Sequence, residues 1–227
     1  MRNILMVGGS KGIGRTILMQ QLENNKVLNI SRTEPDFFHS NLTHFSLDVL
    51  KDELPPVENI DTLIYCPGSI TLKPISGLSV DDFRNDFEIN VIGAVKAIQK
   101  YLPVLKKGNQ PSIVLFSTVA AKLGMPFHAS IATAKAGVEG LVKSLGAELA
   151  PTIRVNAIAP TITETSLSAS ILRNDRMKEN MIERHPMKSY LKPDEVANMV
   201  DFLISEKANS ISGQIFEMDY GLVTFKI

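Results

Sequence analysis

Ile4-Leu5-Met6-Val7 runs directly into Gly8-Gly9-Ser10-Lys11-Gly12-Ile13-Gly14, and an amphipathic stretch, Arg15–Leu22, follows. In that order the three pieces read as a strand, a tight glycine turn and the start of a helix. Glycine permits the turn and a close backbone approach, while a helix N-terminus offers unpaired N–H groups and a partial positive charge. A pyrophosphate suits such a loop, so Gly8, Ser10, Lys11, Gly12, Ile13 and Gly14 are the expected phosphate-side contacts. Many tight turns use glycine for backbone reasons alone; the flanking strand and helix give this one its meaning.

The rest of the chain repeats the alternation. Ile4–Val7, Val27–Ile30, Phe45–Leu47, Leu63–Tyr65, Ile113–Phe116, Val155–Ile158 and Ile215–Met218 are short apolar runs, several of them apolar throughout, and helical patterns separate them. This predicts an α/β fold, a Rossmann-type, doubly wound, seven-stranded parallel sheet in a single domain over 1–227. Asp81–Leu105 opens on an acidic turn and carries Phe83, Phe87, Val91, Ala94, Val95 and Ile98 at helical steps. It predicts one long amphipathic helix, ended or kinked at Pro103. Ala129–Leu149 predicts a second, whose Ala132, Ala136 and Gly140 admit a close neighbour from the sheet or from another subunit. Pro160–Pro193 lacks strands, and its Thr/Ser-rich start and charged middle read as an excursion. Residues 161–192 are then a substrate lid or a solvated helical surface.

Composition narrows the function. Hydrophobic residues make up 44% of the 227, enough for a substantial core, which excludes disorder and collagen-like structure. Lys+Arg 24 balances Asp+Glu 24, so no bulk field draws the protein to nucleic acid or to an anionic membrane. A single cysteine, Cys66, leaves no internal disulfide and no zinc or redox pair, and it reads as a small buried apolar residue. The first apolar run is too short for a signal peptide or a membrane span. The expectation is one soluble cytoplasmic domain with a small-molecule substrate and no metal.

The second strand ends in Ile30-Ser31-Arg32-Thr33, where a carboxylate would hold the ribose 2′-hydroxyl of NAD. Arg32 instead favours the 2′-phosphate of NADP(H) over NAD(H), and Lys11 adds a second positive group. An ordinary solvated arginine is the plainer reading of the same residue.

These motifs and several others resemble the short-chain dehydrogenase/reductase family over nearly the whole chain. Gly8, Gly12 and Gly14 keep the family's loop spacing, with Val7 in place of the usual threonine. Asp48-Val49 resembles its adenine-contacting pair, and of Tyr65-Cys66-Pro67-Gly68 only Gly68 matches the family's Asn-Asn-Ala-Gly. Asn90 resembles the asparagine of a proton relay. Arg154-Val155-Asn156-Ala157-Ile158-Ala159-Pro160, with Thr161 replacing a glycine and Thr163 and Thr165 beyond it, resembles the nicotinamide-side strand and loop. Pro193-Asp194-Glu195-Val196-Ala197 and Ser212-Gly213-Gln214 through Gly221 resemble the family's ending. The resemblance implies an NAD(P)-dependent oxidoreductase, assembled as a homodimer or homotetramer through its long helices.

It also implies a serine, a tyrosine and a lysine, with the tyrosine four residues before the lysine. Lys135 takes the lysine place, where it would hydrogen-bond the nicotinamide ribose, but position 131 is Ile131. An aliphatic side chain has no proton to give. Thr118 stands at the serine place and keeps a hydroxyl, to polarise a carbonyl or merely to cap a strand end. Enoyl-thioester reductases of the same superfamily carry their tyrosine seven residues before the lysine, which here is His128. Histidine titrates near neutrality and can act as a general acid, although a structural role is commoner. The glycine loop resembles the carbonyl-reducing branch. Leu123, Met125, Phe127 and the Ile162–Met187 stretch suggest a partly apolar pocket. Tyr65, Tyr101, Tyr190 and Tyr220 match no catalytic place.

Two readings follow. One is an NADPH-dependent reductase of a carbonyl or conjugated enoyl substrate, using Thr118, Asn90, Lys135 and either His128 or a Lys135-linked water. The other is a catalytically impaired cofactor-binding subunit or NADP(H) sensor in an oligomer.

Overall fold

Along β1 (Asn3–Val7), Leu5 and Val7 enter one hydrophobic cluster while Ile4 and Met6 enter another on the opposite face. Side chains alternate along a strand, so a strand apolar in both directions must be covered on both sides. In the computed structural model, which describes residues 1–225, α1 (Gly12–Leu22) and α6 (Pro193–Ile204) cover one face. The other face is covered by α3 (Gly93–Leu105) and α4 (Ala129–Glu148), through Ala94, Ile98, Tyr101, Val138 and Val142.

All seven expected strands are present: β1, β2 (Lys26–Ser31), β3 (Leu42–Ser46), β4 (Thr62–Tyr65), β5 (Ser112–Phe116), β6 (Arg154–Pro160) and β7 (Ile215–Met218). They pair in parallel in the order β3-β2-β1-β4-β5-β6-β7. The connection direction reverses between β1 and β4, which opens a crevice at their carboxyl ends. Against the expected Phe45–Leu47, β3 starts at Leu42 and ends at Ser46; its start is hidden from an apolar pattern because Thr43 and His44 are polar. As the edge strand it has no fully buried residue, so an apolar pattern could not delimit it.

The long helix expected over Asp81–Leu105 is α2 (Val80–Phe87), a π turn (Glu88–Ile92) and α3 in succession. A reciprocal Ser79–Asp82 capping box starts α2. The helix continues through Pro103 to Leu105, and its irregularity lies instead at the π turn, which carries Asn90. The excursion after β6 holds α5 (Asp175–Arg184), none of whose residues is buried. Its ends are tied by a bridge between Thr163 and Leu191. His185, reached from the sequence only as part of the excursion, is fully buried. Its Nδ1 donates to Met181 O at 2.7 Å, which leaves Nε2 to accept from Thr161 Oγ1 at 2.8 Å.

Candidate functional site

The carboxyl ends of β1 to β4 surround a cavity of about 890 Å³. Gly8, Ser10, Lys11, Gly12, Ile13 and Gly14 line it after β1. Arg32 joins them after β2, Asp48 and Val49 after β3, Gly68 after β4, and Thr165 from the excursion. A smaller hollow of about 340 Å³ lies at the opposite strand ends among Asn3, Lys26 and Ile60, and gathers none of the expected site residues.

Helix α1 begins at Gly12 with Lys11 as its N-cap; no side chain caps it and its first turn has no acidic residue. Its leading N–H groups therefore remain free for an anion. Gly8 (φ +86°) and Gly12 (φ +54°) adopt backbone that L side chains rarely enter. Gly8 N donates to Ile30 O at 2.8 Å and Gly9 N to Asn29 Oδ1 at 2.9 Å, pinning the loop to β2. Asn29 is fully buried, and its Nδ2 donates to Ser31 Oγ at 3.0 Å. Ser10 Oγ in turn contacts Ser31 Oγ and Thr33 O. This network places the end of β2, with exposed Arg32, beside the loop and exposed Lys11. Asp48 Oδ1 accepts from Leu50 N at 3.0 Å. An open helix N-terminus, a cavity of this size and two nearby cations fit a dinucleotide.

The second half of the site gathers around Gly68. A Cβ built there would lie 3.6 Å from Asn90 Oδ1 and 3.8 Å from Lys135 Nζ, so both atoms face the same spot. Lys135 is buried on α4, and Nζ donates to Phe116 O at 2.8 Å. Burial pulls its ammonium down to about 8, against the opposing influences of Cys66 and Asp86. Asn90 Nδ2 donates to Asp86 O at 2.7 Å and to Ser69 Oγ at 3.2 Å. Its Oδ1 is buried without a partner.

Thr118 follows β5, and its Oγ1 makes only long contacts, to Pro160 O at 3.5 Å and from Ala120 N at 3.4 Å. The hydroxyl caps the turn Val119–Ala121 and can still rotate toward a ligand. His128 is the N-cap of α4 without a capping bond; its Nδ1 donates to Pro126 O at 2.7 Å. A neutral His128 ring therefore has a bare Nε2 and can give a proton from that atom only as imidazolium. Ile131 is buried on α4, one turn before Lys135. Pro160 ends β6, and Thr163 is buried with Oγ1 donating to Thr161 O at 3.1 Å. Thr165 packs over the loop, its Cβ 3.5 Å from where a Gly12 Cβ would stand.

Three of the four tyrosines are occupied elsewhere, and the hydroxyl of Tyr190, in the excursion, takes part in no hydrogen bond among the described residues. Tyr65 OH donates to Ile89 O at 2.7 Å, and burial pushes its phenol up. Tyr101 OH donates to Pro55 O at 3.0 Å, with burial raising it to about 12. Tyr220 OH contacts Glu195 Oε1. Burial likewise pushes the Cys66 thiol up, so it stays neutral.

Sequence reasoning missed Asn29 and Asp86. Both had a signal: Asn29 interrupts the apolar run Val27–Ile30, and Asp86 falls on the apolar stripe between Phe83 and Asn90. Ser69 and Ser130, which bind the Asp86 carboxylate, had none. Among the described residues no group of three or more His, Cys, Asp or Glu could hold a metal, and no helix is long and apolar enough to cross a membrane.

Comparison with known proteins agrees with this geometry. Residues 49–223 match the family described as Enoyl-(Acyl carrier protein) reductase. The 3-oxoacyl-(acyl-carrier-protein) reductase FabG of Thermotoga maritima is 30% identical over 177 residues, covering 78% of this chain and 71% of that one. The ligand-free aldohexose dehydrogenase of Thermoplasma acidophilum superposes with a TM-score of 0.89 at 26% identity, over 99% of this chain and 95% of that one. ElxO with NADP bound gives 0.87 at 25% identity, over 99% and 100%. The chain belongs to the short-chain dehydrogenase/reductase family, whose members are NAD(P)-dependent oxidoreductases.

Proposed function

We propose that the protein is an NADPH-dependent reductase of carbonyl compounds that works without a tyrosine at position 131. The observation that carries this reading is Lys135, a buried ammonium beside Gly68, next to a cavity floored by an uncapped glycine loop. NADPH bound there supplies the hydride. The open N–H groups of α1, within Gly8 to Gly14, hold the pyrophosphate. Lys11 and Arg32 take the 2′-phosphate, Asp48 and Val49 flank the adenine, and Lys135 holds the nicotinamide ribose. Pro160, Thr163 and Thr165 bound the nicotinamide side. Thr118 polarises the substrate carbonyl, and the proton arrives from Lys135 through a water held at Asn90 Oδ1.

The carbonyl is favoured over the conjugated enoyl by the loop spacing and by relatives named for 3-oxoacyl and aldohexose substrates. NADPH oxidation with a 3-oxoacyl thioester beside a trans-2-enoyl thioester tests the choice. Faster turnover of the enoyl compound would reverse it. NADPH binding with no turnover of either would favour the second reading, a cofactor-binding subunit or sensor, for which buried Ile131 is the supporting observation.

Segment 161–192 is proposed as the substrate lid, because Thr165, Ser166 and Leu167 line the cavity from it. Assembly into a homodimer or homotetramer is proposed through the outer face of α4, where Ala136 and Gly140 are exposed.

Two variants probe the assignment. Arg32→Ala is expected to weaken NADPH by about tenfold to a hundredfold in calorimetry while NADH is unchanged, the loss of one charged hydrogen-bonding group. Equal weakening of both nucleotides would remove Arg32 from the 2′-phosphate. His128→Phe is expected to keep kcat within about threefold, since the proposed proton path runs from Lys135 through a water at Asn90 Oδ1 and does not use the ring. A fall of about a hundredfold or more, the usual cost of losing a general acid, would make the histidine the donor.

A further inference from the structure

Asp86 is buried on α2 at 1% exposure, and no step of the proposed reaction uses it. Its Oδ1 accepts from Ser69 Oγ at 2.5 Å and its Oδ2 from Ser130 Oγ at 2.6 Å. A carboxylate only accepts, so both serines must donate to it. Ser69, its proton committed, can only accept from Asn90 Nδ2. The hydrogen bonds therefore run one way, from Asn90 to Ser69 to Asp86, with Ser130 closing the carboxylate from α4. Both amide protons of Asn90 are consumed on the Asp86 side, through Asp86 O and Ser69 Oγ. What remains is Oδ1, the buried orphan acceptor on the Lys135 side of Gly68.

A buried acceptor without a partner has lost its water and gained nothing in return, so it calls for an occupant. Lys135 Nζ spends one proton on Phe116 O and has two left to donate. A water or a ligand hydroxyl between the two can accept from Nζ and donate to Oδ1. The titratable groups that act on Lys135 are Asp86 from α2 and Cys66 from the loop after β4. One turn further along α4, Glu139 is held by Ser117 Oγ at 2.8 Å. The Cys66 thiol is kept neutral by burial, which leaves Asp86 as the negative charge acting on the ammonium.

We propose that Asp86 is a positioning residue of this site: its carboxylate directs the Asn90–Ser69 hydrogen-bond chain and sets a negative charge behind the Asn90–Lys135 pair that faces Gly68. The inference rests on the reductase reading for its kinetic consequence but not for its structural one. Hydrogen bonds to a charged acceptor polarise those behind them, so the chain strengthens Asn90 as well as orienting it. The serines alone could not impose this direction, because each hydroxyl can turn.

Asp86→Asn and Ser69→Ala separate the two effects. In Asp86→Asn the Lys135 side chain, followed by NMR of its Nζ and Cε, is expected to titrate about one pH unit lower, as loss of an opposite charge dictates. The basic limb of kcat moves with it, and kcat at neutral pH falls about tenfold to a hundredfold while NADPH affinity stays within about twofold. Ser69→Ala keeps the charge, so the Lys135 titration stays in place while kcat falls severalfold. If Lys135 titrates unchanged in Asp86→Asn and only the melting temperature falls, Asp86 merely joins α2 to α4 and the proposal is overturned. If the wild-type protein turns over no substrate, the reductase reading fails, and the NMR titration still decides the role of Asp86.

Discussion

Gly14→Ala is expected to remove nucleotide binding and a large part of the folding stability together. Gly14 lies in the first turn of α1, and a Cβ there would stand 2.1 Å from Gly8 O and 3.1 Å from Gly8 C. Those are backbone atoms, so no side-chain rotation relieves the overlap. Gly8 cannot retreat either, because its N–H is bonded to Ile30 O and Gly9 N to Asn29 Oδ1. Either α1 lifts from the sheet or the loop opens, and both displace the N–H groups that face the cavity. Overpacking against fixed backbone costs about 1–3 kcal/mol or more. Thermal unfolding and NADPH calorimetry would read both losses. Gly124→Ala serves as the control, since a Cβ there meets nothing within 4 Å. A Gly14→Ala protein that binds NADPH as the wild type does would show that the phosphates do not sit on this loop.

Lys135→Met is expected to abolish most turnover and yet to stabilise the fold. The unfolded chain keeps the lysine proton to about 10.4, whereas the folded protein keeps it only to about 8. Between those values the unfolded state binds more protons, so stability rises with pH through that window. Below it the folded protein carries the full cost of a buried ammonium, about 3 kcal/mol. Methionine removes that cost but leaves the buried Phe116 O without its partner, a loss of about 1–3 kcal/mol. A net gain of about 0–2 kcal/mol at pH 7 follows, and it falls and then reverses as the pH rises toward 10, where the wild-type lysine is neutral and keeps its hydrogen bond. Turnover falls by about a hundredfold or more, because the ribose and the proton path both lose their anchor. Melting curves of both proteins that run parallel at every pH would mean that Lys135 is not a buried ammonium.

These two residues also mark how much the amino-acid sequence disclosed. Gly14 was legible because strand, turn and helix are contiguous, and their physics is settled within a few residues. The seven strands were legible for a similar reason: a strand covered on both faces has to be apolar at nearly every position. Where only one condition held the reading slipped, as at edge strand β3, whose Thr43 and His44 hide its start. The π turn at Glu88–Ile92 was invisible, since one extra residue in a helical turn barely disturbs a stripe of apolar residues. Lys135 and Asn90 were placed by resemblance, but their environment was not. Nothing in their spacing states that Asn90 Oδ1 is left without a partner or that Phe116 O holds Nζ.

The sequence by itself determined the sheet, the glycine loop, the cationic end of β2 and the absence of a tyrosine at position 131, because each is a property of neighbouring residues. The tertiary structure alone decided the meaning of Asp86. That carboxylate is read only through Ser69, 17 residues away, and Ser130, 44 residues away. Hydrogen bonds of such span form when α2 docks on α4 and excludes water, which turns an acidic residue of one helix into the fixed end of a directed chain.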